Sequence, residues 1–234
     1  MAVDLYAGPL CRYYARDFKI KAAQMFANHV RLEVGPEGTR EVRPKNPSRF
    51  RDQTIAWQKG VARVFHERGA QRVRWPDLPK GEYFCDQFLS WRHLVVFAAY
   101  ASLGELPIPD EMIRDERTDA AMAFVRETES AFDYPTICLC RFWIPFTFVG
   151  PVGIVPLPDE SGAVIGSVQT LEQECRRLLR EHMGLPTADQ ETLAVASRDE
   201  ARTPLMRDAI WGAAVLLSGC EFALKHTQPM LVDY

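Results

Sequence analysis

TICLCRFWIPFTFVGPVGIVPLPDESGAVIG, residues 136–166, is where the chain changes period. On either side, apolar residues return at the three- and four-residue steps of helices. Within it, the short runs TICLCRFWI, FTFVG, GIVPL and GAVIG are parted by prolines and by the turn sequence PDESG, the pattern of brief β-strands. Helices before and after a cluster of strands, with no regular β-α-β alternation, predict an α+β fold. It is expected as one helix-rich domain over residues 1–234, built around a small and partly antiparallel sheet.

As a strand, this stretch would place Cys138, Cys140, Phe142, Ile144, Phe146 and Phe148 on one face. The two cysteines then continue an apolar stripe and read as packing. A structural zinc site takes four ligands, commonly as a C-x(2–4)-C pair with a second knuckle. The sequence has neither a second such pair nor a His-x(3–5)-His, so no metal is expected, and no cofactor motif is found.

Working outward, GAVIG runs into Ser167, a capping residue ahead of VQTLEQECRRLLREHMG, whose Leu171, Cys175, Leu178 and Leu179 share a helix face. Thr187 with Gln190 resembles a capping box for another short helix. Thr203-Pro204 pairs a capping residue with proline at the first helical position, and Leu205 to Lys225 is apolar nearly all round, which predicts a central helix. PMLVDY at 229–234 and VDLY at 3–6 read as strands. A helix is expected over about Tyr14–His29, a strand in HVRLEV at 29–34, and a hairpin or long loop at 35–51. A further helix should start at Ser48 or Arg49 and stop at Gly69. Residues 82–104 read as one long buried helix ended by Gly104, and Asp110 as the cap of a helix to about Phe132.

Composition narrows the class. With 47% hydrophobic and 25% charged residues in 234, the chain can bury a sizeable core. The uncharged helical stretch Ala209 to Cys220 has 12 residues, short of the roughly 20 that span a bilayer. No membrane association is expected. The start, MAVDLYAGPLCRYYARDF, has Asp4 where a secretory leader has basic residues, and six dilute cysteines suit a reducing compartment. The expected location is the cytoplasm. Residues 1–74 carry 15 Lys and Arg against 7 Asp and Glu, and residues 75–234 carry 13 against 24. The two parts have opposite signs, so one face is a candidate surface for an oppositely charged partner.

Nucleophile elbows, phosphate loops, H-E-x-x-H and dinucleotide turns are not found. Candidate site residues are therefore polar groups among aromatics. His93, Asp4 and Asp233 are candidate catalytic groups. Arg12, Tyr13, Tyr14 and Arg141 are candidates to hold an anionic ligand, and each has a structural role as its alternative. Arg40, Arg43, Lys45, Arg49 and Arg51, with Phe50 and Trp57 close by, could meet a nucleic acid, although the negative net charge favours a solvated loop. Asp110, Glu111, Asp115, Glu116 and Asp119 form an acidic run that could face a protein partner.

VDLYAGPLCRYY and ALKHTQPMLVDY, with GAVIGSVQTL between them, resemble segments of a family of uncharacterised bacterial cytoplasmic proteins that begin V-D-L-Y and end P-M-x-x-D-Y. The resemblance implies a bacterial, cytoplasmic, single-domain protein and carries no activity or site residue with it. The expected function is a binding role: an immunity-like or regulatory partner that occludes another protein, such as a basic toxin of the nuclease type. The alternative is a small-molecule hydrolase or transferase, or a ligand-binding domain, acting on an anionic substrate. Oligomeric state does not follow from the sequence.

Overall fold

The computed structural model describes residues 3–15, 31–35, 38–42, 46–70, 74–75, 81–85, 88–104, 106–112, 118–127, 133–159, 161–187 and 189–233. The fold is α+β, helix-rich, with a mixed six-stranded sheet in the order β4-β1-β8-β5-β7-β6. Its strands are β1 (Asp4–Ala7), β4 (Tyr83–Cys85), β5 (Phe142–Ile144), β6 (Val152–Pro156), β7 (Gly162–Ser167) and β8 (Met230–Asp233). Neighbours run antiparallel except β5 and β7, which are parallel. A separate hairpin, β2 (Arg31–Gly35) with β3 (Gly38–Val42), precedes α2 (Ser48–Glu67).

Side-chain alternation divides the sheet between two cores. Leu5 and Ala7 of β1, Trp143 of β5, and Met230 and Val232 of β8 face one way. There they meet α3 (Ser90–Leu103), α4 (Ala120–Glu127), α5 (Pro135–Leu139), α6 (Val168–His182), α7 (Gln190–Ala196) and α8 (Pro204–His226). Tyr6, Phe142, Ile144, Ile165 and Leu231 face the other way, toward Leu10 of α1 (Leu10–Ala15) and Val61 and Phe65 of α2. The result is a sheet between a thick helical layer and a thin one.

Helix ends follow local chemistry where the caps are local. The Ser167 hydroxyl accepts the Thr170 N–H at the start of α6, and the Thr203 hydroxyl accepts the Met206 N–H at the start of α8. Gly104 (φ 63°) closes α3, and Gly69 (φ 89°) follows α2, both left-handed as a helix stop requires. Among the residues of α8, Pro204, Trp211, Glu221 and Lys225 are exposed, and most of the remainder is buried. It is the central helix that its composition predicts.

Four expectations need correction. Residues 136–144 are not one strand: Pro135 occupies the first turn of α5, and the Glu174 carboxylate of α6 accepts the N–H groups of Thr136 (3.1 Å) and Ile137 (2.9 Å). A cap supplied from another helix winds these residues, and β5 begins only at Phe142. Residues 82–104 are not one helix either, because Tyr83, Phe84 and Cys85 pair with Ala7, Tyr6 and Leu5 at the sheet edge. Asp110 sits in a bend, and α4 starts at Ala120 with Asp119 accepting the Met122 N–H (3.0 Å). At α7 the cap is Asp189, not Thr187. Most of the expected Tyr14–His29 helix falls outside the described residues.

Two glycines test the packing in opposite directions. A Cβ on Gly212 of α8 would lie 2.6 Å from the Ser90 carbonyl oxygen and 3.1 Å from Leu94 Cβ, whereas one on Gly60 of α2 would meet nothing within 4 Å. In urea denaturation Gly212→Ala should lose about 1–3 kcal/mol by forcing α3 and α8 apart. Gly60→Ala should gain about 0.5–1 kcal/mol. Equal effects of the two would refute this account of the α3–α8 crossing.

Candidate functional site

Beyond α3 the chain crosses as residues 106–112 to the start of α8, where Leu205 donates its N–H to the Asp110 carbonyl (3.5 Å). Asp110 and Glu111 are exposed there beside the exposed apolar residues Leu106 and Met112. The turn into α8 carries exposed Asp199 and Glu200. It borders two adjoining hollows of about 490 and 470 Å³, which share Glu191, Val195 and Asp199. Leu185, Val195 and Ala196 give the larger-lined hollow its apolar part, and Asp189, Glu191 and Asp199 are its carboxylates.

Three exposed carboxylates, Asp189, Glu191 and Asp199, thus line this hollow, with exposed Glu200 next in the chain, and exposed Asp110 and Glu111 stand at the start of α8 through the Asp110–Leu205 bond. Opposing them are Arg198, which is exposed, and Arg202, which is half-buried. The Arg202 guanidinium is engaged inside the fold: Nη1 donates to the Met183 carbonyl (2.7 Å) and Nε pairs with Asp199 (3.4 Å). The Thr192 side chain and N–H bond the Asp189 carboxylate (2.7 and 2.8 Å) and hold it below its ordinary range. Val195 is 68% exposed in the middle of this surface. Negative charge around an exposed apolar side chain suits a basic polypeptide.

A second cluster joins residues from both ends of the sequence. Asp4 and Asp233 stand directly opposite each other in the β1–β8 register, so both project to the face of Tyr6 and Leu231. Tyr14 of α1 reaches the same end of the sheet, where burial, Asp159 of the β6–β7 turn and Asp233 push its phenol far up. Tyr13 packs between Tyr6 (5.4 Å) and Tyr14 (5.2 Å). Arg12 pairs with Glu82 at 3.3 Å, the two side chains 17% and 6% exposed, so its charge is already met within the fold. Arg141 is exposed, and its carbonyl accepts the Val232 N–H (2.9 Å).

His93 lies across the sheet from that cluster. Its Nδ1 bonds Asp208 of α8, and Ser90 donates to the other carboxylate oxygen at 3.2 Å. Serine and histidine both converge on the aspartate, so the hydroxyl is not bonded to the imidazole that would activate it. The trio ties α3 to α8.

The remaining candidates are accounted for by packing or lie elsewhere. Asp119 is buried and also accepts the Tyr100 hydroxyl (2.9 Å), which, with burial as the larger cause, pushes that phenol up to about 12. Asp115 and Glu116 lie outside the described residues, as do Arg43 and Lys45; Arg40 is on β3. Arg49 and Arg51 are exposed in the first turn of α2 and Phe50 is half-buried. Trp57 donates to the Pro156 carbonyl (2.6 Å) and packs edge-on against Trp75 and Phe142, so its ring serves the second core. Burial pushes the thiols of Cys138, Cys140, Cys175 and Cys220 up, which disfavours the thiolate that metal binding and nucleophilic attack require. Among the described residues, no group of three or more His, Cys, Asp or Glu is placed to hold a metal ion.

No protein-family model, curated protein or solved structure matches the chain. Function is therefore read from the geometry alone.

Sequence reasoning passed over Asp189, Glu191 and Asp199, because each reads locally as a helix-end residue and their shared surface exists only after α7 and α8 fold together. It also passed over Glu174, whose position on the inner side of an amphipathic helix was the available signal. Its carboxyl is pushed up to about 7, chiefly by burial and against the pull of the two N–H groups it accepts. The folded state then holds a proton that the unfolded state releases from about pH 4.5 upward, so stability falls as pH rises toward and through 7. Urea unfolding should show about 3 kcal/mol less stability from this group at pH 8 than at pH 4, and Glu174→Gln should flatten that slope. An unchanged slope in the variant would rule Glu174 out as its source.

Proposed function

We propose that the protein is a binding protein that occludes a basic protein partner, in an immunity-like or regulatory role, through the acidic corner formed by residues 106–112, α7 and the start of α8. The observation that carries this reading is the grouping of exposed Asp189, Glu191 and Asp199 with exposed Val195 at the adjoining hollows, with further exposed carboxylates, Asp110, Glu111 and Glu200, at and before the start of α8. Charge of one sign around an apolar centre speeds encounter with an oppositely charged surface and gives the docked partner something to bury. A cytoplasmic setting fits the six free cysteines.

The Asp208-oriented imidazole of His93 favours a second reading, a small-molecule enzyme in which His93 is a general base. That reading requires His93→Gln to abolish turnover of a substrate while leaving the fold intact.

The triple variant Asp110→Lys, Glu111→Lys, Glu191→Lys tests the leading proposal. A tagged parent protein should retain one stoichiometric basic protein from host lysate at low salt and release it at high salt. With that partner purified, the variant should associate at least about tenfold more slowly. Equal association by the variant, or association indifferent to salt, would sink the proposal.

A further inference from the structure

The outer face of α2 carries cations that have no ion-pair partner among the described residues. Arg49, Asp52, Ala56, Lys59, Arg63 and His66 follow one another at three- and four-residue steps, all exposed, and form one stripe. The helix has 20 residues and so runs straight for about 30 Å. Arg51 and Arg68 add exposed cations near its two ends. Of these five basic residues Arg63 is paired, with Glu67 at 3.1 Å. Arg49, Arg51, Lys59 and Arg68 have no ion pair among the described residues. Asp52 and Glu67 are the acidic residues of the helix.

Gly60 is the second observation. It is exposed in the middle of α2, one turn from exposed Ala56, and nothing lies within 4 Å of where its Cβ would be. A glycine there weakens the helix relative to alanine, and packing among the described residues gives no reason for it. Ala56 and Gly60 leave a low floor beside Lys59 and Arg63, where another backbone can come close. The opposite side of the helix, with Thr54, Gln58, Val61 and Phe65, is buried against the sheet.

We propose that the outer face of α2 seats the phosphate backbone of a nucleic acid. The unpaired cations supply the charge, and the Ala56–Gly60 floor supplies the close approach. Trp57 is held in the second core and offers no stacking platform. Contact is therefore to phosphates and not to base edges, so binding is independent of sequence and steep in salt. The surface lies across the sheet from the acidic corner, which leaves the two interactions separate.

The test is fluorescence anisotropy of a short labelled DNA duplex titrated with the whole protein at low and moderate salt. Saturable binding is expected, with affinity falling as about the third to fourth power of salt concentration for four phosphate contacts. Lys59→Glu with Arg63→Glu should weaken it about tenfold or more. Gly60→Leu should weaken it while thermal unfolding shows a helix at least as stable as the parent's, which separates blocked approach from misfolding. The acidic-corner triple variant should bind the duplex no more weakly than the parent. The proposal is overturned by failure to saturate at low salt, by unchanged affinity in both α2 variants, or by anionic lipid vesicles binding in place of the duplex.

Discussion

How closely α8 can approach its neighbours governs the rest of the structure. Gly212 lets the Ser90 carbonyl of α3 lie against the helix backbone, and Gly219 leaves room for Met230 of β8 and Leu5 of β1. Side chains at these points would lift α3 off one side of α8 and the sheet off another. Because protein interiors are close-packed, such a shift is not absorbed locally. It would move β1 and β8 together, and with them the Asp4–Asp233 pair. The Ser90, His93 and Asp208 contacts sit beside the Gly212 crossing and depend on the same spacing. The geometry of this polar trio is thus set by helix packing.

The sheet also separates charge. Cations dominate the outer face of α2, and carboxylates dominate the corner formed by residues 106–112, α7 and the start of α8. Among the described residues, the cations of α2 and the carboxylates of that corner lie in different layers, whereas Arg12 of the basic part is neutralised by Glu82 of the acidic part. Surface charge of this kind acts at a distance of about a Debye length, near 10 Å at moderate salt. Each face therefore meets its surroundings on its own terms, and the modest net charge of −3 conceals the difference.

What the sequence made legible is what short-range chemistry decides. Ser167, Thr203-Pro204, Gly69 and Gly104 mark helix ends because the cap and the capped groups lie within a few residues of each other. The burial of α8 follows from its composition, and Asp110 and Glu111 were visible as surface charge. What stayed hidden depends on distant partners. Thr136 to Leu139 wind because Glu174 caps them from another helix. Tyr83 to Cys85 extend because β1 is there to pair with them. Asp119 was read as surface charge, yet Tyr100 and the first turn of α4 take it inside. Of the six exposed carboxylates of the acidic corner, four, Asp189, Glu191, Asp199 and Glu200, had no trace along the chain as part of a common surface.

The position of β8 has a consequence for how the molecule is made. It lies between β1 and β5, so residues 230–233 join β4-β1 to β5-β7-β6. Until they leave the ribosome, two sheet fragments face each other with open edges and the apolar lining of both cores exposed. Pairing residues 4–7 with residues 230–233 is a contact of very long sequence separation, a topology that folds slowly. Open strand edges and exposed apolar surface of this kind make the chain prone to aggregate before β8 docks.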